Sequence, residues 1–195
     1  DDHLKRKVGT GLGLYITKEI IEKMNGKVEA YSKEGKGSAF VFCIPTVYTP
    51  LSITPENEQI VQKLRDKRLR VLLVANSIFI QNILADYLHF LKPEELAIEK
   101  SINKGFEALV QYMKKGGSFD CVIISGKPKD TLGLCQKIRD LEKTSAVGTN
   151  ILVIRDSYNG PSLALLAAEY RVSALLKRPL SFEDFLKSLQ DIYKL

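Results

Sequence analysis

The chain has 195 residues, 45% hydrophobic and 27% charged, with a formal net charge of +6; this is ordinary for soluble chains long enough to bury a core, as one domain or two small ones. No apolar run reaches the about 20 residues that span a bilayer, and no signal-peptide pattern is present. The positive charge is scattered, with local concentrations only at Lys5-Arg6-Lys7 and over 63–70, and no readout motif accompanies it, so nucleic acid is not an expected partner.

The first informative run is Gly9-Thr10-Gly11-Leu12-Gly13-Leu14. Alternate glycines allow tight turns and close approach of a ligand to the backbone. The stretch from Tyr15 to Met24 that follows carries Ile16, Ile20, Ile21 and Met24 at helical spacing, which predicts an amphipathic helix. Its amino terminus would offer unpaired N–H groups and a positive dipole end to a phosphate. Asn25-Gly26 ends the helix, with Gly26 suited to the left-handed position. Lys27 to Ser32 reads as a strand, Glu34 to Gly37 as a turn, and Ser38 to Ile44 as a second strand before Pro45. No strand precedes the glycines and no Gly-Lys-Ser/Thr follows them, which disfavours dinucleotide-binding and P-loop readings.

Residues 9 to 45, from this glycine loop through helix and hairpin, strongly resemble the C-terminal part of the ATP-binding catalytic domain of histidine kinases. The resemblance implies that residues 1–45 are part of that α/β sandwich, contributing a helix plus a hairpin. It implies that Gly9, Thr10, Gly11, Leu12, Gly13 and Leu14 line the phosphates of ATP, with Lys5-Arg6-Lys7 where family members often place basic lid residues. In the family, an Asn that holds Mg²⁺, an Asp that recognises adenine and the phosphorylated His all precede this segment. Only eight residues precede Gly9 here, and His3 has no helical-hairpin context. The expectation is therefore a fragment of a larger, homodimeric kinase that uses ATP and Mg²⁺ when complete. The fragment alone is expected to be inactive and to hold no cofactor. Its expected location is cytoplasmic, whether or not the parent is anchored in a membrane.

Thr46 to Pro55 contains Pro50 and Pro55 and little periodicity, and reads as linker. Thr54-Pro55-Glu56 then opens a short helix to about Lys67, either an interdomain helix or a charged spacer. Residues 46–68 are accordingly assigned as linker with a short helix. From Leu69 onward, strands over Leu69–Ala75, Ala97–Ile102, Phe119–Ser125, Ile151–Arg155 and Val172–Leu176 alternate with helices over Ile78–Leu91, Phe106–Lys114, Leu132–Leu141, Leu163–Tyr170 and Phe182–Tyr193. Continuously apolar strands separated by helices predict a parallel sheet covered on both faces, a flavodoxin-like doubly wound α/β fold with its functional edge at the strands' carboxyl ends. Cys43, Cys121 and Cys135 are odd in number and lack metal-ligand spacing, so buried reduced thiols are expected.

Residues 69–195 resemble response-regulator receiver domains in pattern, and depart from them in signature residues. Receivers carry acidic residues for Mg²⁺ after the first strand; here Ala75-Asn76 stand there. They end the third strand in the Asp that accepts phosphate, where Ser125 stands. Arg155 takes the place of a Ser or Thr after the fourth strand, and Arg178, in Lys177-Arg178-Pro179, that of the Lys after the fifth. The resemblance thus implies a degenerate receiver site, Ala75, Asn76, Ser125, Arg155 and Arg178, with no metal. Arg155 is expected to form a surface salt bridge with Asp156 or Asp120, or else to mimic a bound cation. Asp120 is expected to cap or face solvent, Asp130 to be an N-cap, and His89 to be a core or surface residue.

Three functions stay open at this point. The unit is a regulatory or docking module of a two-component histidine kinase, contacting the kinase core of the same protein, another receiver or a phosphotransfer protein. It is a phosphorelay receiver with an unorthodox acceptor. Or it senses an anionic small ligand, such as a nucleotide second messenger, near Arg155, Lys177 and Arg178.

Overall fold

The computed structural model describes residues 12–47, 53–143, 148–155 and 168–195. The chain divides into two compact units, Asp1–Ser52 and Ile53–Leu195.

In the first unit, α1 (Leu12–Lys23) is followed by an antiparallel hairpin of β1 (Lys27–Lys33) and β2 (Gly37–Cys43), in register from Lys27 opposite Cys43 to Lys33 opposite Gly37. The left-handed residue after α1 is Asn25, at φ 56°, and not Gly26. Gly26 donates its N–H to Ile21 O at 2.8 Å, closing the helix end as a C-terminal cap does. Its lack of a side chain serves close approach instead, since a Cβ there would stand 2.5 Å from Cys43 O. Gly35 and Gly37, at φ 71° and 103°, make the tight hairpin connection. Every residue of β2 is exposed, so Cys43 is an open thiol and not the buried one expected; two strands alone do not enclose it.

The second unit is a five-stranded parallel sheet of β3 (Arg70–Ala75), β4 (Glu95–Glu99), β5 (Cys121–Ser125), β6 (Asn150–Arg155) and β7 (Ala174–Lys177), in the order β4-β3-β5-β6-β7. Alternate strand residues feed two cores. On one face, α3 (Ile78–Leu91) and α6 (Phe182–Tyr193) pack Leu84, Leu88, Phe185 and Leu189 over Val71, Leu73, Ile123 and Leu152. On the other, α4 (Ile102–Lys114) and α5 (Pro128–Glu142) pack Leu109, Leu134, Cys135 and Ile138 over Leu72, Val74, Val122 and Val153. Burial pushes the Cys121 thiol up to about 12 and the Cys135 thiol up to about 11, so both stay protonated at neutral pH. The helix expected over Leu163–Tyr170 falls mostly outside the described residues.

The short helix at the start of this unit is α2 (Pro55–Asp66), capped by Thr54, whose Oγ1 accepts the Asn57 N–H at 3.3 Å. Assigned from sequence to the linker, it groups with the second unit. Val61 and Leu64 are buried in the α3–α6 core, and Arg65 donates to Phe90 O at 2.8 Å while standing 5.1 Å above the Phe90 ring. The alternation of charge along 55–67 hid an apolar stripe of only a few residues.

At the amino edge of the sheet, Asp120 ties the strands together. Its carboxylate accepts from the Arg70 backbone N–H at 2.8 Å and from the Arg70 guanidinium at 3.2 Å, and its carbonyl accepts from Asn150 N–H and the Tyr193 hydroxyl. It precedes β5 rather than standing inside it.

Two substitutions test this packing. Leu64→Ala should destabilise the second unit by about 2–5 kcal/mol in urea unfolding of the full chain, whereas a mere spacer helix would register almost nothing. Gly105→Ala lies inside α4, where alanine ordinarily gains about 1 kcal/mol. A Cβ there would meet Val74 Cγ2 at 2.5 Å, on a strand buried by both layers. The expected result is a net loss of about 1–2 kcal/mol from overpacking, relieved in the Val74→Ala background.

Candidate functional site

The carboxyl ends of the strands form the functional rim of such a sheet, because successive loops and helix N-termini converge there. The register aligns Ala75 with Ser125 and Ser125 with Ile154, while Arg155 pairs with Lys177 one step further out. Ala75 is fully buried and contributes only a methyl group; Asn76 beyond it is exposed. Ser125 is 1% exposed, and its Oγ accepts a hydrogen bond from the Arg178 guanidinium at 2.9 Å. Arg178 also donates its backbone N–H to Arg155 O at 3.0 Å, and its peptide to Pro179 is cis. The structure thus brings Ser125 and Arg178 into direct contact, with Arg155 adjoining through its backbone. Ala75 and Asn76 flank them across β3.

Expected pairings change. Asp120 is engaged with Arg70 at the opposite edge of the sheet, so it does not neutralise Arg155; Asp156 lies outside the described residues. Asp130 is not the N-cap of α5. Lys127 holds that position, without a side-chain cap, and Asp130 stands in the first turn. His89 is exposed on α3.

A cleft of about 300 Å³ opens at the ends of β4, β3 and β5. Its wall includes Asn76, Lys100, Asn103, Gly126, Lys127 and Asp130, and it reaches Ser125. Lys100 and Lys127 escaped sequence reading although each follows its strand by one or two residues, the signal that would have placed them at the rim.

The residues at the rim do not fit Mg²⁺, which needs near-octahedral oxygen ligands including one or two carboxylates. The strand ends provide a methyl group, an amide and a hydroxyl already bonded to a guanidinium, and the cleft beside them adds a single carboxylate, Asp130, without a second acidic group in its wall. Among the described residues no group of three or more His, Cys, Asp or Glu side chains is placed to hold a metal.

In the first unit, Leu12, Gly13 and Leu14 form the first turn of α1, where N–H groups lack intrahelical acceptors and suit a phosphate. Gly9, Thr10 and Gly11 lie outside the described residues.

Comparison with known proteins agrees with this division. Residues 1–47 match the family described as histidine kinase-, DNA gyrase B-, and HSP90-like ATPase. A probable histidine kinase 1 from Oryza sativa subsp. indica is 49% identical over 45 residues, 23% of this chain and 5% of that protein. The chain thus spans a small part of this curated relative's length. The receiver domain of the histidine kinase CKI1 from Arabidopsis thaliana, in complex with Mg²⁺ and BeF₃⁻, superposes with a TM-score of 0.60 at 19% identity, over 70% of this chain and 96% of that one. The receiver domain of Saccharomyces cerevisiae Ssk1, in complex with the histidine phosphotransfer protein Ypd1, gives 0.52 at 18% identity, over 63% and 86%. The first unit is thus similar to part of a histidine-kinase-type ATPase domain, and the second has the receiver-domain fold.

Removing the guanidinium tests the rim. Arg178→Ala leaves a buried Ser125 hydroxyl without its donor and should cost about 1–3 kcal/mol in urea unfolding. Arg178→Lys should recover part of that, since an ammonium replaces the fork with a point charge.

Proposed function

We propose that this chain is part of a hybrid-type sensor histidine kinase, and that its receiver-fold unit regulates phosphosignalling by docking and does not accept a phosphoryl group. The observation that carries this reading is the Ser125–Arg178 contact at the end of β5, 2.9 Å long. Receivers place their acceptor carboxylate at that strand end. Phosphoryl transfer needs a nucleophile together with a divalent ion that offsets charge on the phosphoryl oxygens. A serine whose Oγ accepts from a guanidinium, with no base hydrogen-bonded to it among the described residues, is a poor nucleophile.

In the complete parent, ATP would supply the phosphoryl group, and the first turn of α1 would help to hold its phosphates. This stretch alone is proposed to be catalytically inactive. The proposed partners are the kinase core of the same protein, within one chain or across a homodimer, and a phosphotransfer protein. The yeast receiver found with such a protein supports the second kind of partner. A cytoplasmic location belongs to the same proposal.

Incubating the full chain with acetyl phosphate and Mg²⁺ should leave its intact mass unchanged, and beryllofluoride with Mg²⁺ should not shift the amide signals of Asn76 or Ser125. Deleting 53–195 from the parent kinase should change its autophosphorylation rate. A phosphorylated residue in this unit would overturn the reading of the rim; an unchanged rate would overturn the regulatory role.

A further inference from the structure

We propose that the cleft at the ends of β4, β3 and β5 is a binding site for a small phosphorylated hydroxy compound of sugar-phosphate size. It borders Ser125 but is not lined by Arg155, Lys177 or Arg178, and it requires no phosphorylation of the protein and no protein partner.

Four features converge. The cleft has a volume of about 300 Å³, at the small end of the range of about 300–1,000 Å³ typical for ligand sites. Two ammonium groups, Lys100 and Lys127, stand on its wall against one carboxylate, Asp130. The helices that begin there, α4 and α5, cover the same face of the sheet, so both dipoles present their positive ends to this corner. The two helix starts differ in a telling way. Ser101 caps α4, its Oγ accepting the Lys104 N–H at 3.3 Å, whereas Lys127 at the start of α5 provides no side-chain cap. Pro128 has no N–H and the Thr131 N–H bonds Lys127 O, so the first turn of α5 keeps the N–H groups of Lys129 and Asp130 for an external acceptor.

A further polar atom stands behind that turn. Thr131 is 1% exposed, and its Oγ1 has no hydrogen-bond partner among the described residues. It approaches Gly126, a wall residue, to 3.4 Å from where a Cβ on that residue would stand. Burying a hydroxyl without a partner is costly, and glycine at 126 leaves that side of the wall thin.

The composition of the wall selects the ligand. Lys100, Lys127 and the start of α5 suit a phosphate dianion. Asp130 would repel a ligand that is anionic throughout, and favours one that also brings a hydroxyl donor. The carboxamides of Asn76 and Asn103 both donate and accept, which suits a polyol.

The test is calorimetric titration of the 195-residue chain with ribose 5-phosphate, inorganic phosphate and ribose at fixed ionic strength. Saturable binding is expected for ribose 5-phosphate, weaker binding for inorganic phosphate, and none for ribose. Lys100→Gln and Lys127→Gln should each weaken ribose 5-phosphate binding by about tenfold, the worth of one charge-assisted hydrogen bond. Asp130→Asn should weaken the sugar phosphate and spare inorganic phosphate, and Arg155→Ala should change neither. Lys100, Lys127 and Asp130 are exposed and Arg155 is half-buried; a lysine variant that fails a melting check is replaced by Lys100→Arg or Lys127→Arg, which should retain binding. Absence of saturation by about 10 mM ribose 5-phosphate, equal binding of ribose, or loss on Arg155→Ala but not on the lysine variants would each overturn the site. These outcomes leave the phosphorylation test above untouched, so the two readings fail separately.

Discussion

The hydrogen bond from Arg178 to Ser125 governs the character of the rim. In the order β4-β3-β5-β6-β7, the chain leaving β7 is two strands from β5, about 9–10 Å at ordinary strand spacing. Only a long side chain crosses β6 to reach that hydroxyl, and Arg178 does so at 2.9 Å. In receivers a cation in this neighbourhood is balanced by carboxylates on the first and third strands of the sheet. Here those strands end in Ala75-Asn76 and Ser125, so the balance tips to positive. A divalent ion about 4 Å from a guanidinium would meet repulsion of about 8 kcal/mol at an effective dielectric of 20, with no carboxylate at those strand ends to offset it.

The fold tolerates that change because its stability comes from elsewhere. The strands are held by two apolar layers, and by the Asp120 junction at the amino edge, which joins β3, β5 and β6. The α2 helix adds Val61 and Leu64 to one layer, and its Arg65 bonds to the end of α3. Neither the Asp120 junction nor these α2 residues stand at the carboxyl rim. Strand ends without carboxylates carry no acidic repulsion between them, and the packing does not depend on what stands there.

The sequence reads well where periodicity carries the information. Strands at 70–75, 121–125 and 150–155 are apolar runs buried on both faces, and the helix over Ile78–Leu91 follows a clear stripe, so their positions are legible to within a residue or two. The rim residues at the ends of these strands are legible for the same reason, since a strand's end fixes what stands there. What escapes is contact between distant segments. Asp120 sits beside an apolar run and looks like a strand residue, yet its role depends on Arg70, fifty residues away. Lys100 and Lys127 look like ordinary surface charges until β4 and β5 are placed on either side of β3. Gly26 looks like a helix cap, and only the return of Cys43 against it reveals a steric requirement.

On the proposed reading, a rim whose charge is fixed by arginine and lysine side chains would have no covalent on and off states of its own. Its influence on a partner is then constant unless a ligand binds one arrangement better than another, because an equilibrium moves only by differential affinity. The size of such a shift is bounded: a tenfold preference supplies about 1.4 kcal/mol, enough to turn a 1:1 population into about 10:1 but not to reverse a strongly biased one. A unit that worked in the proposed way would act best on a kinase already poised near balance, where a small bias from docking, or from an occupied cleft, would change the active fraction severalfold.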